Sequence, residues 1–121
     1  MKIAVSASTQ SYEGPVDPRF GRCRYFVIYD DETKKADVIE NGAASSSGGA
    51  GIQSAQIVAE AGAQVVLTGN IGPNAFRTLK AAGLAVITGV TGSVNEAVQR
   101  YLSGGFDETD SATVDSHFGM R

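Results

Sequence analysis

The chain is poor in the residues that build covalent cross-links and closed metal sites. Its 121 residues include one Cys (Cys23), one His (His117) and no Trp. A lone Cys excludes a disulfide within the chain and a CxxC redox pair. One Cys and one His also cannot supply the four ligands of a tetrahedral zinc site within one chain. The sequence therefore leaves room only for a metal group that is held by few side-chain ligands.

Charged residues are scarce as well, at 19% of the chain against about 25% in a typical soluble domain. The net charge of −3 belongs to residues 106–121, which contain four acidic residues and one Arg. Residues 1–105 consequently hold nine basic and nine acidic residues. Because a nucleic-acid-binding domain normally has a clear basic excess, we expect no nucleic-acid partner.

Long hydrophobic runs are missing too. No apolar stretch approaches the roughly 18 residues that a membrane-spanning helix needs. At the start of the chain, Met1 and Lys2 lead directly into strand-like residues without the pattern of a signal peptide. Together with the unpaired Cys, these features predict a cytoplasmic protein with no membrane partner.

Glycine, by contrast, is abundant, with 15 residues where a chain of this length averages about 8. The glycines separate short apolar runs, typical of buried strands, from stretches with helical spacing. The predicted strands cover residues 2–7, 25–29, 36–40, 65–67 and 84–87, and the predicted helices begin near residues 52, 73 and 94. The first helix is expected to place Ile52, Ala55, Ala59 and Gly62 on one buried face, with Val58 beside it.

The order β-β-β-α-β-α-β-α predicts one α/β domain over residues 1–105. We expect a five-stranded mixed sheet in which the second strand is antiparallel to the first. Residues 106–121 show no periodicity and are acidic, so we predict a flexible C-terminal tail there.

This topology would bring four glycine-bearing loops to one edge of the sheet. The loops cover residues 8–24, 41–51, 68–72 and 88–92. Ligands of open α/β sheets bind outside the carboxyl ends of the strands, and glycine permits a close approach of the backbone. Helix N-termini at the same edge favour anions. The sequence therefore predicts an anion-binding site at this edge.

The loop of residues 17–24 places three arginines around the only thiol. Because neighbouring positive charge lowers the pKa of a thiol, Cys23 is predicted to be a thiolate that can act as a metal ligand. The alternative is a small buried Cys beside solvated arginines. For the glycine-rich residues 41–51 the alternative is a plain flexible linker. No GxxxxGK[ST] sequence is present, which disfavours a Walker-type nucleotide site.

Several motifs in chain order resemble one known family, the dinitrogenase iron–molybdenum cofactor biosynthesis accessory proteins. The resemblance covers residues 1 to about 105. It rests on Arg19-Phe20-Gly21-Arg22-Cys23 followed by Tyr25-Phe26, on Gly48-Gly49-Ala50-Gly51-Ile52-Gln53, on Thr68-Gly69-Asn70-Ile71-Gly72-Pro73-Asn74-Ala75-Phe76, and on Leu79-Lys80-Ala81-Ala82-Gly83.

The resemblance implies a ribonuclease-H-like α/β fold and a non-catalytic carrier or scaffold. Its cargo would be an iron–sulfur or molybdenum-containing sulfide cluster, held in a labile way. Its partners would be the proteins that donate and accept the cluster, and we expect a monomer or a weak homodimer. The loops and the resemblance together predict a cofactor-binding set of Arg19, Phe20, Gly21, Arg22, Arg24, Gly48, Gly49, Gly51, Gly69, Asn70 and Gly72.

One departure from the family pattern concerns the metal ligands. The family often has His immediately before the Phe-Gly pair, where this chain has Arg19. Arginine can pair with an anionic cluster but cannot coordinate its metal, so direct ligation would fall to Cys23. The C-terminal residues 115–121 echo residues 17–22 with a His restored, and we therefore hypothesise that His117 is a second ligand. The alternative is a chance similarity.

Two other functions remain open from the sequence. A small-anion or nucleotide-binding regulatory module would use the same loops. A thiol-dependent or nuclease-like enzyme is the weaker alternative, because nuclease chemistry with two Mg²⁺ ions needs clustered carboxylates. The first and fourth predicted strands carry none.

Overall fold

The fold was analysed on a computed structural model that describes residues 1–46 and 48–114. The chain forms β1 (Lys2–Ala7), β2 (Tyr25–Asp30), β3 (Lys35–Glu40), α1 (Ala50–Glu60), β4 (Val65–Leu67), α2 (Pro73–Ala81), β5 (Ala85–Ile87) and α3 (Val94–Leu102). The predicted element order is therefore confirmed. Over the described ranges, no helix is long and apolar enough to cross a membrane.

One mixed sheet with the strand order β3-β2-β1-β4-β5 organises the domain. The central strand β1 is antiparallel to β2 and parallel to β4, so Ile3 lies between Tyr29 and Val65. The last strand, β5, is parallel to β4. The prediction of an α/β domain with a five-stranded mixed sheet and an antiparallel second strand is confirmed. The carboxyl ends of β1, β4 and β5 therefore share one edge.

The two faces of the sheet carry separate hydrophobic cores. Side chains alternate along each strand, so Ile3 and Val5 pack on the face that α3 covers. Ala4 and Val66 pack on the opposite face, against α1 and α2. The helices are thus divided two to one between the faces.

The buried stripe of α1 differs from the predicted one. The helix buries Ala50, Ser54, Ala55 and Val58, whereas Ile52 is 38% exposed. The prediction that Ile52 lies on the buried face was wrong. Alanine and glycine give only a weak hydrophobic periodicity, so the sequence pattern does not identify the buried face of α1. Small residues on the face toward α2 determine the orientation of the helix, because they let the two helices pack closely. A Cβ added to Gly51 would lie 3.2 Å from the Cβ of Ala75.

Beyond α3 the chain continues along β5 to the carboxyl edge. The backbone N–H of Thr109 donates to the carbonyl of Val86 at 2.7 Å, and that of Thr113 donates to the carbonyl of Ile71 at 2.9 Å. Residues 115–121 lie outside the described residues, and with them His117. The division of the chain at residue 105 and the flexibility of the tail stay predictions.

Candidate functional site

A cavity of about 80 Å³ opens at the carboxyl edge of the sheet. It lies where the β1–β2 loop, the β3–α1 loop and the β4–α2 loop meet. The lining residues are Arg19, Phe20, Gly21, Arg22, Gly49, Ala50, Gly51, Ile52, Asn70, Gly72, Asn74, Ala75 and Val114. None of these side chains is acidic.

Three of the four predicted loops line this cavity, and the fourth does not. Val90, Thr91 and Gly92 of the β5–α3 loop border a different groove, together with Pro15 and Pro18. The reason is that α3 packs on the opposite face of the sheet from α1 and α2. All four loops lie at the predicted edge of the sheet, but this edge has two faces, and only three of the loops line this cavity.

Buried hydroxyl groups hold the β1–β2 loop at the strand ends. Ser6 Oγ donates to the backbone carbonyl of Asp17 at 2.6 Å and lies 2.7 Å from the Thr68 hydroxyl. The buried Asp17 carboxylate accepts the backbone N–H of Arg19 at 2.9 Å. Since Ser6 and Thr68 are fully buried, this network fixes Arg19 relative to the ends of β1 and β4.

The β1–β2 and β4–α2 loops are also bonded directly to each other. The N–H of Asn70 donates to the carbonyl of Pro18 at 2.7 Å, and the N–H of Phe20 donates to the carbonyl of Asn70 at 3.2 Å. A Cβ added to Gly69 would lie 2.6 Å from the Cα of Pro18. Gly69 therefore permits the close approach of two loops and does not itself line the cavity.

Small residues bring the starts of α1 and α2 together beneath the loop. A Cβ added to Gly21 would lie 3.2 Å from the Cα of Gly51. Gly51 in turn lies against Ala75, as described above. A larger side chain at Gly21 or Gly51 would separate the loop from α1 or α1 from α2, and would also occupy the cavity.

Both helices begin at a glycine, and both helix starts line the cavity. The N-cap of α1 is Gly49, with a left-handed φ of 72°. The N-cap of α2 is Gly72, followed by Pro73. In the described part of the chain no side chain caps either helix, and neither first turn holds an acidic residue. Because first-turn N–H groups have no partner within a helix, they are available to an anion in the cavity.

Two of the three predicted arginines reach the cavity. The Nε of Arg19 lies 3.4 Å from the Asp17 carboxylate, and its side chain is 44% exposed. A guanidinium N–H of Arg22 donates to the carbonyls of Ala44 and Ser46. This contact ties the β3–α1 loop to the site.

Arg24 was predicted with the other two arginines but lies elsewhere. Its guanidinium stacks over the ring of Tyr25, 5.7 Å from the ring centre. Arg24 is not part of the cavity lining.

The only thiol lies beneath the cavity instead of in its wall. Cys23 is fully buried, and its S–H donates to the carbonyl of Phe20 at 3.2 Å. Burial raises the pKa of the Cys23 thiol, and the nearby Asp17 carboxylate raises it further. The predicted lowering of this pKa was wrong, because desolvation dominates and the neighbouring guanidinium groups are engaged elsewhere. In this arrangement the sulfur does not reach the cavity.

Two polar residues that the sequence did not single out hold the loop from below. Asn41 Nδ2 donates to the carbonyl of Cys23 at 2.9 Å. Ser54 Oγ donates to Asn41 Oδ1 and to the carbonyl of Gly21, both at 3.2 Å. Both residues are buried. Ser54 does not lie on the face of α1 that the sequence predicted to be buried, so the sequence held no clear signal for it.

The structure thus brings together most of the predicted cofactor-binding set. Eight members line the cavity: Arg19, Phe20, Gly21, Arg22, Gly49, Gly51, Asn70 and Gly72. Arg24, Gly48 and Gly69 are outside the lining. The residues that sequence reasoning missed are Ala50, Ile52, Asn74, Ala75 and Val114.

Of the two predicted metal ligands, only Cys23 lies among the described residues. Within residues 1–46 and 48–114, no group of three or more His, Cys, Asp or Glu side chains is placed to hold a metal ion. His117 lies outside these ranges. The chemistry that the described cavity offers is recognition of negative charge by guanidinium groups and backbone N–H groups.

Comparison with known proteins agrees with this architecture. An uncharacterised protein of Methanocaldococcus jannaschii is 34% identical over 107 residues, which is 86% of this chain and 87% of that protein. The apo form of the orange protein from Desulfovibrio gigas is 43% identical and superimposes with a TM-score of 0.91, over 93% of this chain and 96% of that one. A Thermotoga protein described as a candidate NifB protein is 34% identical, with a TM-score of 0.82 over 93% and 97% of the two chains.

A family model described as dinitrogenase iron-molybdenum cofactor matches residues 1–104. This match spans the sheet, the three helices and every cavity residue except Val114. The chain therefore belongs to the dinitrogenase iron-molybdenum cofactor family, as its loop motifs predicted.

Proposed function

We propose that this protein is a non-catalytic carrier or scaffold for an anionic iron–sulfur or molybdenum-containing sulfide cluster. The observation that carries the proposal is the composition of the cavity. Two helix N-termini and two guanidinium groups border one space, and among the described residues no side chain caps either helix and no acidic side chain lines the cavity. The site is built to attract negative charge.

The physical basis is electrostatic. Each helix N-terminus carries the equivalent of about half a positive charge. Arg22 adds a full charge, whereas the charge of Arg19 is partly offset by the Asp17 carboxylate that it contacts. Hydrogen bonds from charged donors are roughly twice as strong as those between neutral groups. Sulfide ligands at the surface of a cluster are acceptors for such donors. A cluster held in this way needs few direct metal ligands, which suits transfer to another protein.

The relatives support the same class of cargo. The family is described by the iron-molybdenum cofactor of dinitrogenase. The D. gigas relative is described as an apo form, that is, without its bound group. A role in cofactor assembly would require proteins that donate and accept the cluster, and we propose such partners for this chain. We also keep the predictions of a ribonuclease-H-like fold, a monomer or weak homodimer, and a cytoplasmic location.

Cavity size favours a compact inorganic anion over a nucleotide. The volume of about 80 Å³ is well below the ~300–1,000 Å³ of sites that enclose drug-sized ligands. A nucleotide-binding regulatory module, the second candidate, would need a larger enclosed site. The third candidate, an enzyme that uses Cys23 as nucleophile, is opposed by the burial and raised pKa of that thiol.

Arg19 and Arg24 provide a matched pair for testing the site. Both belong to the β1–β2 loop, but only Arg19 lines the cavity. Tetrathiomolybdate is a suitable probe because it is a soluble molybdenum sulfide anion. Under anaerobic titration followed by absorption spectroscopy, we expect Arg19→Gln to weaken binding about tenfold, equivalent to about 1.4 kcal/mol. Arg24→Gln should bind as the natural chain does.

The remaining arms of the experiment separate the candidates. Cys23→Ala should leave binding of the probe unchanged, because the sulfur lies beneath the cavity. Equal weakening by Arg24→Gln and Arg19→Gln would indicate a diffuse charge effect and contradict the proposed site. Thermal stabilisation by ATP or GTP, with none by tetrathiomolybdate, would favour the nucleotide module instead.

A further inference from the structure

Residues 106–114 form an extended segment, here called the C-terminal strap, between α3 and the cavity. The family match ends at residue 104, so the strap lies outside it. Its first residue, Phe106, packs against the core beside α3 and lies under the guanidinium of Arg100, 4.5 Å from the ring centre. Two residues further, Glu108 pairs with Lys80 of α2 at 2.6 Å.

Two threonines of the strap bind the main chain in the same way, four residues apart. Thr109 donates its N–H to the carbonyl of Val86 at 2.7 Å and accepts the N–H of Thr88 on its Oγ1 at 2.9 Å. Thr113 donates its N–H to the carbonyl of Ile71 at 2.9 Å and accepts the N–H of Ile71 on its Oγ1 at 2.9 Å.

The contact between Thr113 and Ile71 links the strap to the β4–α2 loop, which lines the cavity. Ile71 stands between Asn70 and Gly72, and both of these neighbours line the cavity. Thr113 therefore holds both backbone polar groups of Ile71 within the β4–α2 loop. The next strap residue, Val114, is itself part of the cavity wall.

Only a few contacts, spaced along the segment, hold the C-terminal strap against the rest of the domain. Glu108 and Thr113 are exposed, and Thr109 and Val114 are half-buried. Segments with solvent-exposed hydrogen bonds and little buried apolar surface open locally at low free-energy cost. The wall that the strap completes can therefore open without unfolding the sheet.

We propose that the C-terminal strap completes the binding site and controls how fast the site releases its anion, with Thr113 as the residue that positions the β4–α2 loop. The inference rests on the proposed function for the identity of the anion. The positioning role itself rests on contacts within the chain.

A ligand-free measurement tests the positioning role. Thr113→Val keeps the shape of the side chain but removes the Oγ1 acceptor of the Ile71 N–H. Thr91→Val is the matched control, because Thr91 is an exposed threonine on the opposite groove. By hydrogen exchange read at single amides in the full chain, we expect the Ile71 amide to exchange at least tenfold faster in Thr113→Val. Its exchange should be unchanged in Thr91→Val.

A second measurement tests control of release. Chains loaded with tetrathiomolybdate are diluted, and the molybdenum that remains bound is assayed after desalting at set times. We expect Thr113→Val to release the anion about tenfold faster than the natural chain. Val114→Ala should release it a few-fold faster without altering exchange at Ile71, because it shortens the wall without touching the loop contact.

The outcomes separate the two proposals. Unchanged exchange at Ile71 in Thr113→Val would overturn the positioning role. Faster exchange with an unchanged release rate would overturn control of release. If the natural chain binds no tetrathiomolybdate, the proposed cargo fails and control of its release falls with it. Exchange at Ile71 would then still decide whether Thr113 holds the loop.

Discussion

The N-termini of α2 and α3 lie at the same edge of the sheet but on opposite faces, and the two helices differ in their N-terminal capping. Helix α3 begins with a complete capping box. Ser93 Oγ accepts the N–H of Glu96 at 3.0 Å, and the Glu96 carboxylate accepts the N–H of Ser93 at 2.9 Å. Helix α2 begins at Gly72 and Pro73, with no side-chain cap among the described residues and no acid in its first turn.

The contrast separates a helix start that is closed by its own side chains from one that our proposed function assigns to recognition. The capping box satisfies the N–H groups of Ser93 and Glu96, and the N–H groups of Val94 and Asn95 donate to carbonyls of the β1–β2 loop. Helices α1 and α2 have no side-chain cap among the described residues, and we propose that their first-turn N–H groups face the bound anion. The packing differs as well, because the cavity face depends on glycines at close approaches whereas the α3 face is covered by ordinary aliphatic side chains such as Val94 and Val98.

Among the substitutions that test this difference between the two faces, Gly69→Ala should have the largest effect on stability and binding. In Gly69→Ala the added Cβ would lie 2.6 Å from the Cα of Pro18, so two cavity loops must separate. We expect the free energy of unfolding to fall by about 2 kcal/mol and tetrathiomolybdate binding to be lost. Chemical denaturation and titration measure the two effects. Gly42→Ala is the control, since its Cβ would meet nothing within 4 Å, and an equal loss there would contradict the close-approach argument.

A side-chain cap on α2, like the one on α3, should increase the stability of the protein but weaken binding of the anion. Gly72 has a φ of −81°, which an aspartate adopts readily. In Gly72→Asp a side-chain cap should raise the free energy of unfolding by a few tenths of a kcal/mol. Binding of the anionic probe should weaken at least tenfold, because the new carboxylate repels it. Gly72→Ser, a neutral cap, should give the stability gain with a smaller loss of binding. Unimpaired binding in Gly72→Asp would remove α2 from the site.

Removing the cap of α3 should lower the stability of the protein but leave binding of the anion unchanged. Ser93→Ala leaves a first-turn donor of α3 without its partner, and we expect a loss of about 1 kcal/mol in the free energy of unfolding. Probe binding should not change, because Ser93 borders the other groove. Ser103→Ala, which removes an exposed hydroxyl at the other end of α3, is the control. Weakened binding in Ser93→Ala would show that the two faces are coupled.

The smallest effect concerns pH. Hydrogen bonds from Ser93 lower the pKa of Glu96 below its ordinary value of 4.5. The unfolded chain therefore takes up this proton first as pH falls. The stabilisation is fully present above pH 4.5 and is lost as pH falls through the folded pKa. Denaturation curves of Glu96→Gln should show a shallower decline of stability over that acidic range than the natural chain. An identical decline would mean that the box is not ionised in the way described.

Much of the fold could be predicted from local patterns. Apolar runs such as Val65–Leu67 and the capping box at Ser93 are signals that a few neighbouring residues carry by themselves. The antiparallel direction of β2 relative to β1 was an expectation without a local signal, because the long loop of residues 8–24 connects the two strands, and the structure confirms it. The face of α1 could not be predicted in this way, because Ala, Gly and Ser differ little in hydrophobicity and its orientation depends on the fit of Gly51 against Ala75.

The site was predictable in its loops but not in its chemistry. The loops that follow the strands brought Arg19, Gly49 and Gly72 to the cavity, although Arg24, Gly48 and Gly69 of the same loops lie outside the lining. The state of Cys23 was not predictable, because the pKa of a thiol depends on burial and on which way the neighbouring guanidinium groups turn. Val114 had no local signal at all, since it reaches the cavity only after the chain has passed along β5.

The sequence by itself determined the order of elements, the neutral body, the scarcity of metal ligands and the gathering of glycine and arginine in the loops at strand ends. These properties depend on residue type and spacing, which are local. Only the tertiary structure decided that three loops share a cavity while the fourth turns to the opposite face, that the thiol lies below the site, and that the C-terminal strap completes the wall. Each of these features depends on contacts between residues that are distant in the sequence. The packing of each helix on a particular face of the sheet determines those contacts.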